Sequence, residues 1–143
     1  MTLRHDSSAA QPRPVPTIGT VETITRTITD ADVLMFANLT GDHNPVHLNA
    51  EYAATTRFRE PIAHGILTSG LISAVIGTKL PGLGAIYLNQ TLKFMAPVFH
   101  GDTITASAEV IASKPEKRIL TLRTACVNQH GLTVIEGEAV VMC

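Results

Sequence analysis

Between Gly65 and Lys79 the chain runs through Ile66, Leu67, Leu71, Ile72, Ala74, Val75 and Ile76, so a helix there is apolar on nearly every face. Such a helix has to be buried, and it sets what the rest of the chain must supply. Gly70 and Gly77 would weaken it in solvent; inside a core they would let a sheet approach closely. After Pro81-Gly82 everything reads as strand: Ala85–Met95, Thr103–Ser113, Arg118–Asn128 and Thr133–Met142, separated by short Pro, Gly and Asp turns. The last three form an antiparallel meander. The pattern therefore predicts an α+β fold in which an antiparallel sheet covers one long central helix.

Upstream, Gly19–Thr29 is β-branched and reads as a first strand. Thr29 is placed to cap a following helix, with Asp32 as its capping-box partner. That helix carries Val33, Phe36, Ala37 and Thr40 on one stripe and ends at Gly41. Ala50–Thr56 is a short helical candidate. Residues 1–16 are rich in Ser, Gln and Pro and read as a disordered tail, leaving 17–143 as a single domain.

Composition removes several function classes. At 143 residues and 45% hydrophobic content the chain can bury a real core. A net charge of −1, with its basic residues scattered, gives no nucleic-acid footprint. No apolar run is long enough to span a membrane. Of the two cysteines, Cys126 reads as a small sheet or core residue and Cys143 as an exposed thiol; this usage suits a reducing cytoplasm.

The chemistry concentrates in Thr40-Gly41-Asp42-His43-Asn44-Pro45-Val46-His47. Asp42 and His47 could share one water as general acid and base. Pro45 is expected to bar a regular helix, leaving a turn to hold their spacing, and Asn44 to bond its own backbone as an Asx turn. The same residues also make an ordinary loop. Gly65, opening the apolar helix, could present its N–H to an oxyanion or simply make a tight turn. His64 beside it reads as a structural hydrogen-bonding residue, and Ser73 as bonding back to its helix. His43 and His47 are four apart, but the intervening Pro45 and the lack of a following Glu speak against a metal site. Arg57, Arg59 and Lys79 read first as a solvated face, with phosphate contact as the other option. No nucleophile elbow or phosphate loop is present.

Phe36–His47 followed by Ala53, Phe58–Gly65, Pro81–Leu88, and Phe94–Val98 with Gly101-Asp102 together resemble the MaoC-like (R)-specific enoyl-CoA hydratases, over roughly Gly19 to the C-terminus. The resemblance implies a hot dog fold, a homodimer or higher homo-oligomer, and a cytoplasmic lyase of fatty-acid or polyhydroxyalkanoate metabolism. The reaction implied is hydration of trans-2-enoyl-CoA to (R)-3-hydroxyacyl-CoA, with the coenzyme A thioester as substrate and no metal or other cofactor. It assigns catalysis to Asp42 and His47 and the oxyanion contact to Gly65. Asn44 and Ser73 become auxiliaries, Ser73 orienting Asp42 or the water. His43 falls at a variable position. Ile76 and Val140 are expected at the floor of an acyl pocket between helix and sheet. Two alternatives share the fold: an acyl-CoA thioesterase, and a non-catalytic acyl-thioester-binding or dehydratase subunit.

Overall fold

The computed structural model describes residues 12–143. Most of the expected tail lies outside them. Residues 12–16 form no helix or strand, yet Val15 packs against the core and the Arg118 guanidinium donates to the Arg13 carbonyl at 2.7 Å. The chain thus docks a few residues before the expected boundary at 17.

Strand β1 (Val21–Thr27) leads into helix α1 (Asp30–Thr40). The capping box forms as expected: the Asp32 N–H donates to Thr29 Oγ1 at 3.1 Å and the Thr29 N–H to the Asp32 carboxylate at 3.0 Å. That main-chain donor, helped by Arg26 at 2.7 Å, holds the Asp32 carboxyl below its usual range. Gly41 ends the helix at φ 84°, a left-handed conformation that glycine adopts without a Cβ clash. Val33 and Ala37 are buried and Phe36 half-buried, whereas Thr40 is exposed and donates back to the Phe36 carbonyl.

The next segment corrects the sequence reading. Residues Pro45–Leu48 form a one-turn helix, α2, where a turn was expected. Proline bars a helix interior but suits its first position, where its fixed φ is helical and its missing N–H is not needed. Asn44 caps the turn by accepting the Val46 N–H at 3.2 Å. Helices α3 (Ala50–Ala54) and α4 (Gly65–Thr78) follow.

The remaining strands are β2 (Ile86–Gln90), β3 (Lys93–Phe94), β4 (Thr103–Lys114), β5 (Ile119–Val127) and β6 (Thr133–Met142). All pair antiparallel in the order β1-β4-β5-β6-β2, and β3 also pairs with β6. The single strand expected over 85–95 is broken at Thr91. Its backbone crosses so near Gly137 that a Cβ there would sit 1.8 Å from the Thr91 carbonyl oxygen. Glycine on β6 permits the break, and Thr91 Oγ1 accepts the Glu138 N–H at 3.0 Å.

Helix α4 lies against the sheet through Ile72, Val75 and Ile76, which share one core with Ile104, Ala108, Leu120, Leu122, Cys126 and Val141. Burying each such aliphatic side chain is worth about 1.5–3 kcal/mol. The helix is not buried all round, however. Ile66 is 56% exposed, and Gly70, Ser73 and Gly77 follow it along an open stripe. A Cβ at either glycine would meet nothing within 4 Å, so neither makes room for the sheet. Of the cysteines, Cys126 is fully buried, its thiol pushed up to about 12 by burial; Cys143 is half-buried rather than exposed, tucked against the Arg118 carbonyl. Among the described residues, no helix is long and apolar enough to cross a membrane.

Candidate active site

Three short elements meet at the N-terminal end of α4. The left-handed turn at Gly41 carries the chain out of α1 and puts Asp42 in the open, where its Oδ1 accepts the Asn44 N–H at 3.2 Å. Capped α2 then delivers His47. The third element is the segment Ile62–Gly65, which bridges to the 97–102 turn through the Ala63 N–H to the Val98 carbonyl at 2.7 Å.

Segment Ile62–Gly65 touches both halves of the expected pair. The Ile62 carbonyl receives a bond from His47 Nδ1 at 2.7 Å, and the Ile62 N–H donates to the Val46 carbonyl at 3.1 Å. His64, only 3% exposed, reaches the Asp42 carbonyl through Nε2 at 3.0 Å and stacks on the His47 ring, centroids 3.9 Å apart. A carbonyl only accepts, so His47 carries its proton on Nδ1 and keeps the Nε2 lone pair free. Burial is the main cause that holds the His47 imidazole below its ordinary value of 6.5. The bond to Ile62 and the Asp42 carboxylate oppose that shift, while His64 and His100 add to it. The ring is therefore neutral at neutral pH, as a base must be. Asp42, His47 and His64 bring one donor atom each within 4.8 Å of the others.

His47 and Gly65 both line a cavity of about 410 Å³ whose other walls include Arg57, Phe58, Phe94 and Met95. Gly65 is the first residue of α4, and a first-turn N–H has no carbonyl within its own helix to bond. An apolar chamber with a neutral imidazole and a helix N-terminus on its wall can bind an acyl group, deprotonate a water and stabilise an oxyanion. The absence of a Cβ at Gly65 has a second use: one built there would lie 2.5 Å from Phe94 Cε1, so glycine lets that ring close over the helix end.

Other expected residues fall elsewhere. Asn44 shapes the loop through its backbone cap. Ser73 is exposed on the open stripe of α4, not inside the fold. Ile76 is packed in the core, and neither it nor Val140 lines this cavity; Val140 alternates with the inward-facing Ala139 and Val141, so the pleat turns it to the other side of the sheet. Arg57 lines the cavity and lies over the Phe58 ring at 4.9 Å, whereas Lys79 is held by the Thr23 carbonyl. His43 is exposed and bonds Asn38. Sequence reasoning missed Phe94 and the double contact of His64. Both depend on pairings between distant segments, although the polar His64 heading an apolar helix was a visible signal.

The MaoC like domain family model matches residues 15–129. An (R)-specific enoyl-CoA hydratase of Rhodospirillum rubrum is 53% identical over 87% of this chain and 85% of its own. A 3-hydroxybutyryl-CoA dehydratase of Methylorubrum extorquens is 48% identical, over 87% of this chain and 78% of its own. Among solved structures, an (R)-hydratase from A. caviae involved in PHA biosynthesis superposes with a TM-score of 0.86 at 44% identity, covering 89% of this chain and 96% of that one. The fold shared with it is the hot dog fold.

The geometry generates two expectations. Protonating His47 removes the base, so kcat/KM should fall only as pH drops through the lowered His47 value, with its acid limb below pH 6.5. Stability should behave likewise, since a depressed imidazole favours folding fully above 6.5 and less as pH falls below it. An acid limb above 6.5 in a pH–rate profile would exclude His47 as that base. Gly65→Ala should displace the half-exposed Phe94 ring at little cost in Tm, because the clashing atom is the far edge of a side chain with solvent to move into. Turnover should fall about tenfold or more as the helix-end donor loses alignment. A mainly thermal defect would contradict the oxyanion role.

Proposed function

The chain belongs to the MaoC-like domain family, and from that premise we infer that it is an (R)-specific enoyl-CoA hydratase. It is a hydro-lyase, adding water reversibly across trans-2-enoyl-CoA to give (R)-3-hydroxyacyl-CoA. The observation that carries the mechanism is the 2.7 Å bond from His47 Nδ1 to the Ile62 carbonyl, which leaves Nε2 of this cavity-lining residue as the base, with the exposed Asp42 within 4.8 Å of it.

In the proposed mechanism a water is held between Asp42 and His47. His47 Nε2 takes its proton as the water oxygen bonds to C3, and the C2–C3 π electrons move onto the thioester as an enolate. The Gly65 N–H bonds the enolate oxygen; losing one such donor typically costs about 10²-fold in rate. The proton is then returned from the pair to C2 on the same face. The imidazolium formed in between is stabilised by the Asp42 carboxylate, and no metal or redox group is needed for the electron balance. Arg57 at the cavity wall is a fitting partner for the phosphates of the carrier.

We also propose that the working form is a homodimer. Strand β2 is an edge of the sheet, and Ile86, Leu88, Phe94 and Met95 in and beside it are about half exposed. Such an edge is normally covered. The open stripe of α4, with Ser73, is a second surface available to a partner copy. Two free cysteines suit the cytoplasm, and we propose that location.

Purified protein given crotonyl-CoA should consume the conjugated double bond without releasing thiol. Asp42→Asn and His47→Gln should each lose about 10²-fold or more in kcat while keeping the fold. Thiol release would put the thioesterase in its place, and an unfolded Asp42→Asn protein would make the loop carboxylate structural. Sedimentation should give a dimer mass, with Leu88→Lys shifting it towards monomer; a monomeric and fully active wild type would refute the dimer.

A further inference from the structure

We propose that His64 is a positioning residue for the Asp42–His47 pair, holding the main chain of one member and the ring of the other. This rests on the hydratase reading for its kinetic consequences and on the geometry alone for its structural ones. His64 is the N-cap residue of α4, yet its side chain makes no capping bond to that helix. Among the described residues, its side chain makes one hydrogen bond, to the Asp42 carbonyl across 22 positions of sequence, while Nδ1 is buried with no partner. A buried polar atom left without a partner costs free energy and calls for an explanation. Here the orphaned nitrogen is tolerated while the other nitrogen grips the residue that carries the carboxylate.

The ring contacts point the same way. His47 lies on His64 with planes 33° apart, and Phe36 of α1 packs against the same ring at 4.7 Å. His64 is therefore wedged between the helix that leads into Asp42 and the one-turn helix that carries His47. The preceding Ile62 fixes the His47 tautomer and the following Gly65 opens α4. Rotation of His47 about its bond to Ile62 is limited by the stack, and drift of Asp42 by the bond to its carbonyl.

Two substitutions separate these contacts. His64→Phe keeps a ring and loses the donor; His64→Gln keeps a donor near the Nε2 position and loses the ring. On folded protein, His64→Phe should lower kcat between about tenfold and 10²-fold, the loss that about 1 Å of misplacement produces, with KM changed less than about threefold. His64→Gln should recover at least about half of that loss on a logarithmic scale. In an Asp42→Asn background, His64→Phe should add less than it does alone, because one of the two members it positions has lost its carboxylate. The proposal is overturned if His64→Phe keeps kcat within about threefold of the parent, or if His64→Gln is no better than His64→Phe. Should His64→Phe fail to fold, His64→Gln decides: a kcat lowered by about threefold to tenfold supports positioning, and a smaller or a greater loss refutes it.

Amide hydrogen exchange gives a readout that does not depend on substrate. In His64→Phe, or in His64→Gln if the former does not fold, amides of residues 41–48 should exchange faster while those of β4 and β5 are unchanged. Uniform acceleration, or none, would sink the proposal. The parent's rate with crotonyl-CoA tests the hydratase reading separately, so the two can fail independently.

Discussion

The bond from His47 Nδ1 to the Ile62 carbonyl is the contact on which the rest of the site depends. It is short, it selects the tautomer, and it joins the loop after α1 to the segment that opens α4. A free imidazole would exchange its two tautomers and turn about χ2, and either motion would take the Nε2 lone pair out of the cavity. A single backbone carbonyl prevents both. That carbonyl is held in turn, because Ile62 donates to Val46 and bridges to Phe99, while Ala63 donates to Val98. The site is thus built from main-chain bonds between loops, with the sheet one step behind them.

The sheet's contribution is to fix where α4 begins. Ile72, Val75 and Ile76 sit in the core where the helix packs against β1, β4 and β5, and the N-terminus that results faces the cavity. From there Phe94, on the short β3, reaches the helix end. The pairing with β6 resumes in the same register beyond the break at Thr91, Gln90 facing Ala139 before it and Phe94 facing Ile135 after it. Gly137 leaves room for the Thr91 carbonyl at that crossing, where a Cβ would lie 1.8 Å from its oxygen.

What was legible in the sequence followed from local rules. The capping box at Thr29, the stop at Gly41 and the strand over 133–142 need only neighbours along the chain, and they appear as read. The Pro45 turn was misjudged because proline's two effects depend on position, and only the Asn44 cap decides that Pro45 comes first in a helix. The apolar α4 was read as buried all round because composition records a residue's type and not what covers it. Its open stripe of Gly70, Ser73 and Gly77 shows that small residues can mark an outer face as readily as a crowded inner one. Val140 was missed by one step of the pleat, an error that moves a side chain to the opposite face of a sheet.

The cavity's apolar walls and the half-buried His47 are two aspects of one design problem. A base must be unprotonated at working pH, and removing water from around an imidazole achieves that by penalising its cation. The same dryness would make the cation formed during turnover costly, unless a compensating charge stands nearby. Asp42 supplies it from the exposed rim, where its own carboxylate remains hydrated and accepts a main-chain N–H. The asymmetry between a half-buried ring and an exposed carboxylate therefore lets one site keep a neutral base before the reaction and hold its conjugate acid during it.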